Sequence, residues 1–168
     1  EHDIQWIDKK DWEYKTTFNI EEATLEKDEI ELIFNGLDTY ADIFLNDSLV
    51  LTTDNMFMSW KLKCKQLLRE GSNELRIHFK SSINIGLKKR EDLGYYLPGA
   101  ENDQSQLGGL EDTKVCVFSR KPGYHFGWDW GPRLVSSGIW RQVTLKAWDV
   151  AKINNLQIVQ NEVSNEKA

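Results

Sequence analysis

From Trp12 to Ile20 every second side chain falls on one side of the chain, with Trp12, Tyr14, Thr16, Phe18 and Ile20 opposing Glu13, Lys15, Thr17 and Asn19. A period of two is the repeat of a pleated strand with one wet face, so a half-buried strand is predicted here. The same alternation returns at Ile30, Leu32 and Phe34, at Ala41, Ile43 and Leu45, at Met56, Met58, Trp60, Leu62 and Cys64, and at Leu75, Ile77 and Phe79. A last strand is predicted over 139–148, with Val143 and Leu145 on one face and Trp140, Thr144, Lys146 and Trp148 on the other. Asn35-Gly36, Asn46-Asp47 and Gly71-Ser72-Asn73 punctuate these runs with residues that tolerate the backbone of tight turns.

Helical signals are sparse. Residues 65–70 before Gly71 and 83–93 before Gly94 are the two short candidates. Many short alternating strands without helical crossovers predict an all-β fold: an antiparallel β-sandwich of jelly-roll type with one or two short helices, rather than a parallel α/β sheet. His78 lies on the polar side of its strand and is expected to be exposed rather than a ligand. The stretch 94–113 breaks the alternation, and a loop of that length inside one domain is expected to be functional or mobile. Tyr95 and Tyr96 within it either offer rings to a ligand or anchor the loop on the sandwich. After Asp149 the texture changes, and Ile153, Leu156, Ile158 and Val159 predict a further strand over 153–159 before a polar end.

A chain of 168 residues buries about 70% of its unfolded surface, enough for one ordinary core. Its 21 Lys and Arg against 27 Asp and Glu give a net charge of -6, which argues against phosphate-backbone binding and hence against a nucleic-acid partner. Lys88-Lys89-Arg90 is followed at once by Glu91-Asp92, as on a solvated helix face. No stretch has the apolar length of a membrane span, so no membrane partner is expected. The start Glu1-His2-Asp3 lacks both an initiator Met and the pattern of a signal peptide, and a leader or larger N-terminal portion is expected to precede it. Cys64, Cys116 and the three histidines form no metal-ligand spacing, so no metal and no cofactor is expected. Cys64 extends an apolar alternation and is expected to be a small buried hydrophobe, with a disulfide to Cys116 left open.

The unusual chemistry is concentrated in 120–132, where Asp129 sits between Trp128 and Trp130 and is bracketed by glycines and prolines. Indole faces suit the C–H face of a pyranose, and an ionised carboxylate accepts hydrogen bonds from ring hydroxyls. Gly127, Gly131 and Pro132 would present these groups from a rigid turn. The residues alone also allow a structural reading, with core indoles and an Asp that bonds its own turn.

Trp12-Glu13-Tyr14 with Phe18, the run 35–42 from Asn35 through Asp38 to Asp42, Leu45-Asn46, Asn55-Met56-Phe57, Gly71-Ser72-Asn73, Tyr124-His125-Phe126-Gly127-Trp128-Asp129-Trp130-Gly131-Pro132 and Gly138-Ile139-Trp140-Arg141 together resemble the N-terminal sugar-binding domain of glycoside hydrolase family 2 β-mannosidases. The resemblance covers nearly the whole chain. It implies a galactose-binding-domain-like jelly roll over 1–149, truncated at its N-terminus. Residues 150–168 would be a linker and the first strand of a following immunoglobulin-like domain. A (β/α)8 barrel further on would carry the two glutamates of retaining hydrolysis, one acid/base and one nucleophile, so the catalytic glutamates lie outside this chain and the fragment itself is expected to be inactive.

For the site, the resemblance implies that Asp129 accepts hydrogen bonds from a terminal β-mannoside and that Trp128 walls the pocket. Trp130, His125 and Tyr124 form a supporting shell. Arg120 either orients Asp129 through a charge-assisted pair or holds the loop to the sandwich. Parent enzymes are expected to be periplasmic, secreted or lysosomal. An autonomous lectin-like module is the alternative from another class, and a scaffold using the surface around Trp140 and Trp148 is a third.

Overall fold

The computed structural model describes residues 2–164. Strand β1 (Trp12–Ile20) is followed by a one-turn helix α1 (Glu22–Leu25), then by β2 (Glu29–Phe34), β3 (Leu37–Asp38), β4 (Tyr40–Leu45), β5 (Ser48–Asp54) and β6 (Trp60–Lys63). Strand β7 (Gly71–Lys80), helix α2 (Ser82–Leu93) and the strands β8 (Gly138–Ile139) and β9 (Val143–Trp148) complete the regular elements apart from short 3-10 turns. The strands form one sheet in the order β1-β7-β4-β5, a second in the order β6-β2-β9, and a two-stranded ribbon β3-β8. Every strand pair is antiparallel. The all-β sandwich is therefore the observed architecture.

The core lies where the alternating faces of the two sheets meet. Ile30, Leu32 and Phe34 of β2 pack with Ala41, Ile43 and Leu45 of β4 and with Leu75, Ile77 and Phe79 of β7, while Val143 and Leu145 of β9 flank them. At about 25 cal/mol per Å² of apolar surface removed from water, such side chains each contribute roughly 1.5–3 kcal/mol. Asn46 and Asp47 both take positive φ in the β4–β5 hairpin, as their residue types allow. Cys64 is buried and free, as is Cys116. Helix α2 begins at Ser81, whose hydroxyl accepts from Asn84 N–H, and ends at Gly94 in the left-handed conformation.

Four local expectations are corrected. Strand β1 is an edge strand, and its Trp12 and Tyr14 remain exposed. The 65–70 helix is only a 3-10 turn, Lys65–Leu67. The strand predicted over 139–148 is split, for Trp140 leaves the ladder to lay its indole on Gly36 and donate Nε1–H to the Met56 carbonyl at 3.1 Å. Trp140 thus does not share a strand face with Trp148.

Residues 153–159 form no strand, because no neighbouring strand takes up their backbone groups, and their apolar side chains are exposed. Residues 165–168 of the expected terminal segment lie outside the described residues. No helix among the described residues is long and apolar enough to cross a membrane.

Candidate functional site

The Trp-Asp-Trp run occupies a closed loop at the rim of the sandwich. A 3-10 turn, Gly123–Phe126, leads into it. Leu134 N–H then returns to the His125 carbonyl at 3.0 Å, so the chain between them forms a protruding tongue. Gly127 takes φ +121°, a conformation open to glycine and strained for other residues. Its missing side chain leaves room for Gln104, whose amide donates to the Trp128 carbonyl at 2.8 Å while its main-chain N–H reaches the Phe126 carbonyl at 2.9 Å.

The long 94–113 segment therefore has a place in the fold as a brace beneath the tongue. It is itself pinned by buried Asp103, which accepts from the N–H groups of Val115 and Cys116 at 3.0 Å each. Tyr95 and Tyr96 do not anchor the loop on the sandwich and stand away from the tongue cleft. Both rings are exposed beside Leu87 and Arg90 at the end of α2.

The tongue displays aromatic surface. Trp128 and Trp130 meet edge to face, with centroids 5.4 Å apart and planes at 78°. Trp130 is 81% exposed, an unfavourable position for an indole unless something covers it. Tyr124, Trp128, Trp130, Gly131 and Pro132 line an open cleft of about 390 Å³. A hollow of about 490 Å³ near Asp28, Glu29, Lys63 and Lys65 is larger but offers no aromatic ring, and one of about 410 Å³ at the end of α2 is lined by Tyr95 and Tyr96. The tongue cleft alone of these three is walled by indoles, the larger flat apolar faces.

Asp129 is exposed beside the cleft rather than among its lining residues, and its carboxylate makes no hydrogen bond or ion pair among the described residues. Trp128 Nε1–H is buried and has no acceptor. An exposed carboxylate with all its acceptor capacity available, next to two ring faces, can receive hydroxyl donors.

Arg120 forms no ion pair with Asp129 among the described residues. Its main chain instead fastens the tongue's base to the sandwich, accepting from Met56 N–H at 3.0 Å and bridging to Asn55. That hold is made by the Arg120 backbone and not by its side chain.

Beneath the tongue lies a polar cluster that the strand pattern did not single out. Asp38 of β3 is 2% exposed and forms an ion pair with Lys121 at 2.8 Å. It also accepts from the Ser136 hydroxyl at 2.7 Å and from the Thr39 hydroxyl. Lys121 donates in addition to the Ser136 carbonyl. His125 Nδ1 stands 3.3 Å from Ser136 Oγ and 3.9 Å from Asp38 Oδ2, with the Tyr124 ring against its edge.

Burial pushes the Lys121 ammonium below its ordinary pKa, and Asp38 opposes that shift. Burial, helped by the Lys121 charge, pushes His125 down as well, so its neutral form is favoured. No local signal in the sequence marks this cluster, since Asp38 lies among Asn35, Gly36, Thr39 and Asp42 in a stretch that reads as a turn and a mixed strand. A second buried pair, Asp8 with Arg133, joins the N-terminal turn to the tongue's exit, with Gln5 beside it.

Two antiparallel sheets with a braced rim loop that displays aromatic faces and a carboxylate define a sandwich of the galactose-binding-like class. Comparison with known proteins narrows this, and the chain belongs to the family described as glycosyl hydrolase 2 galactose-binding domain-like, matched over residues 1–141. It is 36% identical over 157 residues to a β-mannosidase B of Aspergillus flavus, covering 93% of this chain and 17% of the relative. It is 31% identical to a β-mannosidase of Mus musculus over 90% of this chain and 17% of that one. The crystal structure of a β-D-mannosidase from Dictyoglomus thermophilum superposes with a TM-score of 0.86 at 36% identity, covering 96% of this chain and 19% of that chain. The chain thus spans about one sixth of the length of these relatives.

Proposed function

We propose that the chain is the N-terminal, pocket-completing domain of a retaining β-mannosidase that releases terminal β-D-mannose. Asp129 accepts hydrogen bonds from hydroxyls of the terminal sugar, and Trp128 supplies a wall, with Trp130, Tyr124 and His125 holding that wall in place. The observation that carries this reading is the unpaired, exposed carboxylate of Asp129 on a braced loop beside two indoles. The β-mannosidases that resemble the chain over most of its length support the substrate class.

On this reading the acid/base and nucleophile glutamates belong to a (β/α)8 barrel beyond the chain, and 150–168 leads into an immunoglobulin-like module. The exposed Ile153, Leu156, Ile158 and Val159 are then strand residues awaiting that module's ladder. A carbohydrate pocket lacking its other wall holds a sugar poorly, because the hydrogen bonds compete with water. The isolated chain therefore hydrolyses nothing and binds mannose weakly.

Asp129→Ala in the whole enzyme tests the proposal with p-nitrophenyl β-mannoside. A charge-assisted hydrogen bond of about 1.5–3 kcal/mol corresponds to a loss of about 10- to 150-fold in kcat/KM, with the melting temperature nearly unchanged. A large loss of thermal stability with little kinetic change would refute it. Saturable micromolar mannose binding by the chain alone, measured by calorimetry, would favour the autonomous lectin-like module.

A further inference from the structure

The geometry points to Asp38 as the positioning residue of the sugar loop: one buried carboxylate that fastens both stems of the tongue and so sets where Asp129 stands. This rests on the reading of Asp129 given above. Lys121 lies on the entering stem, seven residues before Trp128, and Ser136 lies on the leaving stem, seven residues after Asp129. Both converge on Asp38, Lys121 at Oδ1 and Ser136 at Oδ2.

Thr39 occupies Oδ1 as well, and His125, at the tongue's own closing hydrogen bond, lies toward Oδ2. Lys121 also ties stem to stem through the Ser136 carbonyl. The Lys121 side chain is 0% exposed, so its charge has no solvent to fall back on. Both stems are held only while the tongue keeps this conformation.

A buried ion pair contributes little net stability, because desolvation offsets the attraction. What it does fix is relative position, since moving either partner leaves a charge uncompensated. Asp38 itself is held by the β3–β8 ribbon, in which it pairs with Gly138, two residues beyond Ser136. The carboxylate therefore stands on the rigid sandwich, and the tongue hangs from it. A pocket group displaced by about 1 Å can lose about 100-fold in rate, so the orientation of Asp129 is where Asp38 would make itself felt.

The test is a double-mutant cycle in the whole enzyme with p-nitrophenyl β-mannoside. Asp38→Asn is expected to lower kcat/KM about 10- to 100-fold in the parent background, yet less than about threefold when Asp129 is already alanine, because the group it positions is gone. Since Asp38→Asn leaves Lys121 unpaired and can impair folding, Ser136→Ala is the second variant. It removes the Ser136 tie to Asp38, together with the 3.3 Å contact to His125 Nδ1, leaves Lys121 paired, and is expected to cost several-fold, again only while Asp129 is present, with the melting temperature unchanged. Losses that multiply with Asp129→Ala, or no loss in either variant while Asp129→Ala is damaging, overturn the positioning role and leave the sugar-site reading intact. A silent Asp129→Ala instead removes that reading, and this inference with it.

Discussion

Replacing Gly127 with alanine strikes the backbone on which the Trp-Asp-Trp loop turns. At φ +121° and ψ 162° the residue sits in a region that only glycine occupies without strain, and forcing another residue there costs on the order of 1–3 kcal/mol. The new methyl would also lie 2.6 Å from Gln104 Cγ and 2.7 Å from Gln104 Oε1, closer than real contacts allow. Gln104 would have to move, and its bond to the Trp128 carbonyl is worth about 1 kcal/mol. The two effects sum to about 2–4 kcal/mol. For a chain of this size that is a fall in melting temperature of roughly 5–15 °C, read by far-UV circular dichroism, with a change in tryptophan emission as Trp128 loses its brace. Gly123→Ala is the control, since nothing lies within 4 Å of its added carbon, and it should melt with the parent. If Gly127→Ala melts within 1 °C of the parent chain and emits identically, the tongue is not held by the Gly127 turn and its Gln104 brace.

Two pH effects follow from buried groups. Burial pushes the Cys64 thiol up to about 11 from 9.0, so the unfolded thiol ionises first and stability should fall as pH rises from about 9 to about 11; urea midpoints at pH 8 and pH 10 measure this, and Cys64→Ala should flatten the difference. His125 is held below its ordinary 6.5, so the unfolded chain takes up the proton first and stability should be lost as pH falls below about 6.5. Melting temperatures between pH 7 and pH 5 check it, and a drop as steep in His125→Gln as in the parent would assign the acid limb to other groups.

Alternation in β2, β4 and β7 is readable from the sequence because both faces of each strand are decided locally: one meets the opposite sheet, the other meets water. Helix α2 is plain at its end, since Gly94 marks the stop by its own chemistry, while its cap at Ser81 emerges only from the structure. Strand β1 shows where this stops. Its pattern is as regular as that of β7, but whether Trp12 and Tyr14 are covered depends on what the fold brings over the edge of the sheet, which no local pattern records. Residues 153–159 fail for the same reason, because period two describes a strand only once another strand accepts its backbone.

The candidate site divides along the same line. Trp128, Asp129 and Trp130 are legible because their unusual composition is contiguous, and Gly127 is legible as a conformational requirement. Asp38 is not, because its partners Lys121 and Ser136 stand more than eighty residues away and no local period connects them. Sequence therefore exposes the groups that would meet a sugar more readily than the group that aims them. The aiming group works by burial, and burial is settled only when β3 and β8 have come together beneath the tongue.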